Sequence, residues 1–271
     1  MKILVPLDGS RFAERALPVA VWLAERLDAD IHLFSAVPTV DEQIARDEQL
    51  AEHQILGRCV EREVVIDLDP AGAIHEALRR LGDAVACMAS HGRGRSAALI
   101  GSVASEVVAR GRDPLVVVGP FIDERFPGSN VLACVDETPG SAAILPIAQR
   151  WATLLREPLV VVTVAEPVPP AISSGPVRRL FGPDGDVDAY LDTLVKPIRR
   201  AGGDVKTLAL YDPISPAEGL RTYLREHPAA LVVVGSRARR GLARIVFGST
   251  SAAIVHGSSS PVLVAPRPDA R

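Results

Sequence analysis

One design occurs twice in this chain, and the repeat restricts the fold more than any other feature of the sequence. Residues 84–103 begin with six consecutive small or apolar residues, continue through a short turn and an arginine-containing loop, and end just past a Gly-Ser step. Residues 231–250 follow the same plan. Apolar runs without alternation are typical of parallel strands that are covered on both faces. Each copy therefore predicts a buried strand, a tight turn, a loop and the start of a helix.

The Gly-Ser steps, Gly101-Ser102 and Gly248-Ser249, mark the start of each predicted helix. The first N–H groups of a helix have no partner within it, and the positive end of the helix dipole lies there. Such a position favours an anion such as phosphate. A simpler interpretation is that the serine caps its own helix. Because the design occurs twice, we favour a binding site.

The rest of the chain repeats as well. Asp8 follows the first apolar segment as Asp136 follows a later one, and the two residues lie 128 positions apart. Pro18 and Pro146 keep the same spacing, and we expect Pro18 to kink the helix that contains it. The two Gly-Ser steps are 147 positions apart, so the second copy is longer. All but one of its extra residues fall within about 166–190, where proline and glycine predict an irregular loop.

Apolar strands alternate with amphipathic helices in each copy, which is typical of an α/β parallel sheet with right-handed crossovers. We predict two tandem doubly wound, Rossmann-like domains at residues 1–125 and 128–271. Each is expected to be a five-stranded parallel sheet of order 3-2-1-4-5 with helices on both faces. The fifth strands, 115–118 and 262–264, are apolar edges that need covering by each other or by another chain. The chain is thus expected to be a pseudo-dimeric monomer or to form a homodimer.

In a sheet of this order, ligands bind outside the carboxyl ends of strands 1 and 4, where the strand order reverses. Asp8 and Asp136 follow the first strands, and Ser90 and Ser236 follow the fourth. A carboxylate there accepts hydrogen bonds from an adenine amine or a ribose hydroxyl, or helps to hold Mg²⁺ through water. Each aspartate is also a good turn residue that caps the next helix, and the two interpretations are compatible.

Composition argues against several classes of protein. A chain of 271 residues that is 48% hydrophobic buries a full core, and its net charge of −3 gives no footprint for nucleic acid or an anionic membrane. No apolar run approaches the ~20 residues of a membrane span, and Asp8 comes too early for a signal peptide. Three isolated cysteines are typical of a reduced compartment, so we expect a cytoplasmic protein.

Neither a catalytic nor a metal-binding pattern occurs in the sequence. It lacks a nucleophile elbow, a Cys–His couple, a lysine-containing P-loop and histidines with metal-ligand spacing. We therefore expect a protein that is not an enzyme, with at most slow, incidental hydrolysis of a bound triphosphate.

These motifs resemble the universal stress protein family, in two copies that cover essentially the whole chain. The family's nucleotide motif is Gly-x2-Gly-x9-Gly-Ser/Thr, with an aspartate at the end of the first strand. The first copy replaces the first glycine with Ala89, keeps Gly92, and has eight residues before Gly101. The second copy keeps Gly235 and the nine-residue spacing but has Ala238 in place of the second glycine.

The resemblance implies that ATP, with or without Mg²⁺, binds at these motifs. It places Ala36 and Val164 beside the adenine, and Met88 and Val234 near the base or ribose, although Met88 also suits a plain core position. The nucleotide-binding residues that it implies are Asp8, Ala36, Met88, Ala89, His91, Gly92, Gly101, Ser102 and Val103 in the first copy, and Asp136, Val164, Val234, Gly235, Arg237, Ala238, Gly248, Ser249 and Thr250 in the second.

Further arginines border both motifs and suit bidentate contacts to phosphate, or are ordinary surface residues. His91 is either a donor to phosphate or an exposed loop residue. The arginines are Arg93 and Arg95 in the first loop, and Arg239, Arg240 and Arg244 in the second.

We therefore predict an ATP-binding universal stress protein that acts as a nucleotide-dependent sensor or regulator in the stress response, with an unidentified protein partner. A non-binding interaction and dimerisation module is the alternative, because each copy departs from the family motif. A slow ATP hydrolase or adenylyl transferase is a third hypothesis. Since the second copy keeps the full loop spacing before Gly248, it is the preferred binding copy.

The proline and glycine content of the insertion generates a first prediction. Without ligand, residues 166–185 are expected to be weakly ordered, because such a stretch buries little apolar surface. Limited proteolysis of the native chain should cut there first, as mass spectrometry of the fragments would show. Uniform protection along the chain would contradict this expectation.

Overall fold

A computed structural model provides the fold. It describes residues 1–53, 60–92, 100–111, 113–122, 126–138, 140–165, 187–212, 214–238, 245–246 and 248–266. Most of the insertion, residues 166–186, and the five loop arginines outside the strands therefore lie outside the described residues.

Twelve strands and eight α-helices are present in the described parts of the chain. The strands are β1 Lys2–Pro6, β2 Asp30–Val37, β3 Val60–Ile66, β4 Ala84–Ala89, β5 Leu115–Val118, β6 Val131–Cys134, β7 Leu159–Ala165, β8 Val205–Tyr211, β9 Leu231–Gly235, β10 Arg237–Ala238, β11 Ile245–Val246 and β12 Val262–Ala265. The helices are α1 Ala16–Leu27, α2 Val40–Ala51, α3 Pro70–Leu81, α4 Ser102–Arg110, α5 Leu145–Leu155, α6 Val187–Arg200, α7 Pro216–Glu226 and α8 Ser249–Gly257.

One sheet of ten strands runs through both halves of the described chain, in the order β3-β2-β1-β4-β5-β12-β9-β6-β7-β8. Each half has the order 3-2-1-4-5 when its own strands are counted, and neighbours within a half are parallel. The predicted α/β fold of two tandem doubly wound domains is confirmed. The short strands β10 and β11 form a separate antiparallel pair.

The two domains meet at their fifth strands. β5 and β12 pair in antiparallel fashion, with Val116 opposite Leu263. The edge of each fifth strand is therefore covered by the fifth strand of the other domain of the same chain. Because the pairing continues the sheet across the boundary, each apolar layer on its two faces contains residues from both domains. Val116 and Leu263 belong to one layer, and Val117 and Val262 belong to the other.

Side chains also connect the domains. Helix α1 packs against α5, and the Trp22 ring meets Phe126 edge-on at 5.1 Å between centroids. The Arg26 guanidinium lies 5.9 Å from the Trp22 ring centroid and 3.5 Å from a carboxylate oxygen of Glu157. Burial of aromatic surface dominates this contact, because an exposed ion pair of that length contributes little.

The first helix begins later than the sequence suggests. A 3₁₀ turn at Ala13–Arg15 precedes α1, which starts at Ala16. Pro18, expected to kink the helix from its interior, instead lies in the first turn, where its missing N–H costs no intrahelical hydrogen bond. In the second domain Pro146 likewise lies in the first turn of α5. None of the helices in the described ranges is long and apolar enough to cross a membrane.

A charged cluster holds the outer strands of the first domain together. His32 is 5% exposed, with Nδ1 3.1 Å from Glu61 Oε2 and Nε2 2.9 Å from Glu63 Oε2. Lys2 Nζ donates to Glu61 at 2.5 Å, and Arg80 donates to Glu63 at 2.5 Å. The hydrogen bonds from Lys2 and then His32 lower the pKa of the Glu61 carboxyl. Burial opposes ionisation of Glu63, but Arg80 and His32 outweigh it, so its pKa is lowered too.

This cluster predicts a pH-dependent contribution to stability. A carboxyl with a folded-state pKa below its ordinary value of 4.5 stabilises the fold above that pH, and the contribution is lost as pH falls through the folded-state pKa. Glu61→Gln should therefore lower the free energy of unfolding at pH 7 by about 0.5–1 kcal/mol, and by less near pH 3.5. Urea unfolding at the two pH values measures this, with Glu48→Gln, an exposed carboxylate, as the control. An equal loss at both pH values would contradict it.

Candidate functional site

A cavity of about 410 Å³ lies in the first domain, outside the carboxyl ends of β1 and β4. This is where the strand order reverses and where doubly wound sheets bind their ligands. All nine residues singled out in the first copy line it. They are Asp8, Ala36, Met88, Ala89, His91, Gly92, Gly101, Ser102 and Val103.

The Asp8 carboxylate is held by the turn that follows β1. The backbone N–H and the hydroxyl of Ser10 donate to its Oδ1 at 2.9 and 2.6 Å, so the aspartate does act as a turn residue. Gly92 approaches the other oxygen closely, because a Cβ at Gly92 would lie 2.1 Å from Asp8 Oδ2. Only glycine lets the loop after β4 come this near to the carboxylate.

Helix α2 supports the same turn from behind, a contact that the sequence motifs did not indicate. Arg46 is 5% exposed, and its Nη1 donates to Gln49 Oε1 at 2.8 Å. Gln49 Nε2 donates to the Gly9 carbonyl at 3.4 Å. Gly9 has a φ of 77°, and a Cβ there would lie 1.4 Å from Arg46 Nη1. The buried guanidinium thus fixes the position of the turn that carries Asp8.

The start of α4 faces the cavity without a side-chain cap. Gly101 is the N-cap residue and Ser102 the first helical residue, so the simpler interpretation, in which the serine caps its own helix, is wrong. Helices α2, α3 and α7, by contrast, are capped by the side chains of Thr39, Asp69 and Ser215. The Gly101 N–H donates to the Ser90 carbonyl at 2.7 Å, which fixes the start of α4 against the end of β4. The N–H groups beyond it are available to an anion.

The remaining walls are largely apolar, with one exception. Phe34, Ala36, Ile74 and Met88 line the cavity from β2, α3 and β4. Ser35 also lines it; this residue is 2% exposed and its hydroxyl has no hydrogen-bond partner among the described residues. Thr163, its equivalent 128 positions on, is likewise buried without a partner in the described part of the chain. The repeat spacing could have drawn attention to this pair. An unsatisfied buried hydroxyl costs about 1–3 kcal/mol of folding stability, so its presence at the same position of both copies is unusual.

The corresponding cavity of the second domain measures about 120 Å³. Asp136 holds its turn as Asp8 does, since the Thr138 N–H donates to Asp136 Oδ1 at 2.9 Å. The Tyr190 hydroxyl on α6 donates to the Asp136 carbonyl, and this contact was not predicted. Burial, followed by the charges of Asp136 and Glu137, raises the pKa of Tyr190, so it remains a protonated donor.

Five residues singled out in the second copy line this smaller cavity, namely Asp136, Val164, Val234, Gly235 and Thr250. Gly248 is instead the N-cap residue of α8, and Ser249 is its first helical residue. As in α4, no side chain makes a capping hydrogen bond there. Arg237 and Ala238 form β10, which pairs with β11. Arg93, Arg95, Arg239, Arg240 and Arg244 lie outside the described residues.

Nucleophilic and metal chemistry find little support in the described part of the chain. Burial raises the pKa of the Cys87 thiol, and it raises that of Cys134 to about 12, so both are protonated near neutral pH. Within the described ranges no three or more His, Cys, Asp or Glu side chains cluster in a way that could hold a metal ion.

Comparison with known proteins places the chain in a family. The model of the Universal stress protein family matches residues 1–119 and 129–266. A curated universal stress protein of Mycolicibacterium smegmatis (strain ATCC 700084 / mc(2)155) is 28% identical over 137 residues, which are 49% of this chain and about half, 47%, of that protein.

Solved structures share the fold over nearly the whole chain. A universal stress protein from Archaeoglobus fulgidus DSM 4304 is 20% identical, with 98% of both chains covered and a TM-score of 0.67. A putative universal stress protein from Pseudomonas aeruginosa UCBPP-PA14 is 18% identical, with 98% of this chain and 93% of the other covered and a TM-score of 0.66. Because the family model matches both halves, the chain belongs to the universal stress protein family.

Proposed function

We propose that this protein binds an adenine nucleotide, ATP being the first candidate, in the cavity of its first domain, and acts as a nucleotide-dependent regulator. One observation carries the proposal. The 410 Å³ cavity at the strand-order reversal combines apolar walls, a carboxylate and an uncapped helix N-terminus. Each of these suits a different part of a nucleotide.

The parts of a nucleotide match the cavity in order. Ala36, Ile74 and Met88 offer an apolar slot to the flat base. Asp8 can accept hydrogen bonds from the ribose hydroxyls or from the amine of the base. The phosphates would then reach the start of α4, where the N–H groups and the helix dipole favour negative charge. Mg²⁺, if it binds, would be held by the phosphates rather than by a protein cage.

The first domain is the better binding candidate, which reverses the preference drawn from loop spacing. Its cavity of about 410 Å³ falls in the size range of ligand pockets, roughly 300–1,000 Å³, and the 120 Å³ of the second does not. We therefore assign the second domain a structural role, in which it covers the β5 edge and completes the pseudo-dimer. This structural role is the one given by the interaction-module hypothesis, but it applies to the second half of the chain only.

The proposed activity is binding and signalling rather than catalysis. Asp8 is the only carboxylate that lines the first cavity among the described residues, and it is engaged by Ser10 in its own turn. An aspartate held in this way suits a binding role. A regulator needs only different surfaces in its bound and free states.

A matched pair of variants tests where the nucleotide binds. Ser102 and Ser249 are both exposed and both begin an uncapped helix, α4 and α8. A glutamate at either position interacts favourably with the helix dipole but repels phosphate. Ser102→Glu should weaken ATP binding by at least about tenfold, a loss of ~1.4 kcal/mol. Ser249→Glu should leave the affinity within about twofold of wild type. Calorimetric titration of ATP measures both.

Ser102→Gln is the control, because it has the same shape as glutamate without the charge and should bind nearly as well as wild type. Loss of binding in Ser249→Glu alone would move the site to the second domain. A wild-type protein that shows no heat of binding at millimolar ATP would overturn the proposal and favour the interaction module.

A further inference from the structure

A second cavity, of about 230 Å³, lies between the domains next to the first. The first domain supplies most of its wall, from the turn before α1 and the ends of β4 and β5. His256, on α8, is the second-domain residue among those described there. The cavity is lined by Phe12, Arg15, Ala89, Ser90, His91, Gly92, Val118, Gly119, Pro120 and His256. None of the roles assigned above uses it.

The two cavities share a wall. Ala89, Ser90, His91 and Gly92 line both of them. The start of α4, where we place the phosphates, lies against this wall, since a Cβ at Gly101 would be 3.5 Å from the His91 Cα atom. A phosphate chain that continues past α4 therefore meets the shared wall.

Aromatic rings border the interdomain cavity. Phe12, in its lining, is 42% exposed, and Phe121 beside it is 60% exposed. The His256 ring lies edge-on to Phe121 at 5.6 Å and to His91 at 6.0 Å between centroids. The chain has only six phenylalanines, and exposed ones contribute little to folding. Exposed aromatic rings of this kind are what proteins use to stack a nucleobase.

A positive charge lies at the same place. Arg15 Nη1 donates to the Pro120 carbonyl at 2.5 Å, and its guanidinium carbon lies 5.5 Å from the Phe12 ring centroid. No carboxylate among the described residues pairs with Arg15. Its remaining N–H groups are suited to phosphate oxygens.

From the shared wall, the rings and the Arg15 guanidinium, we infer that the interdomain cavity is a second subsite for the far base of a dinucleoside polyphosphate. Its first adenosine occupies the first-domain cavity, its phosphate chain crosses the shared wall, and its second base stacks against Phe12 and Phe121. The inference rests on the proposed function, because it needs a nucleotide in the first cavity.

The test compares two ligands on the same protein. Calorimetric titration of wild type with ATP and with diadenosine tetraphosphate should show one bound molecule of each, with the dinucleotide bound at least about tenfold more tightly. In the Phe12→Ala/Phe121→Ala double variant the ratio of the two affinities should fall to about one. Tyr211→Ala removes an aromatic ring that is 64% exposed on edge strand β8, and it should leave the ratio as in wild type.

The possible results distinguish a failure of the proposed subsite from a failure of the proposed function. ATP binding with no advantage for the dinucleotide overturns the subsite and leaves the proposed function standing. An advantage that survives in a double variant with the wild-type circular dichroism spectrum overturns the placement between the domains. Failure of wild type to bind either ligand overturns both proposals.

Discussion

The antiparallel pairing of β5 with β12 is the contact on which the rest of the architecture depends. Both strands are buried on both faces, and each would otherwise present an open, wholly apolar edge to water. By pairing, they turn two five-stranded sheets into one and let two apolar layers run from end to end. The pairing also brings α8 of the second domain against the turn after β4, and thereby creates the interdomain cavity.

The two domains share a fold but support their aspartate turns differently. In the first, Arg46 and Gln49 on α2 hold the turn at Gly9. In the second, Tyr190 on α6 holds the carbonyl of Asp136 itself. A buried, hydrogen-bonded arginine behind the turn leaves the front of Asp8 facing a roomy cavity, whereas the second cavity is less than a third as large. The two copies therefore differ in how they support the turn at the candidate site, while they share the strand order of the sheet.

Repetition in the sequence was enough to predict the sheet. A constant spacing of 128 residues between Asp8 and Asp136 fixes equivalent first strands, and continuous apolar runs identify strands covered on both faces. The nine first-copy residues that the family resemblance implies all line the first cavity. Helix α4 begins at Ser102, as the Gly-Ser step predicts, and Gly101 is its N-cap residue. The sequence motifs did not indicate Arg46, Gln49 or Tyr190, because these residues reach the site from helices outside the motifs. The interdomain cavity could not be predicted, because the sequence left undecided which strand pairs with β5.

Helix α8 extends from one cavity of the molecule to another. It begins at the uncapped N-terminus beside the second domain's Asp136 cavity, and seven residues later it places His256 in the wall between the domains. Nine helical residues form a rod about 13 Å long, which is too short and too regularly hydrogen-bonded to bend appreciably. A tilt imposed at one end must therefore appear at the other. Helix α8 therefore connects the wall of the second domain's cavity to the wall of the interdomain cavity through one short, stiff element.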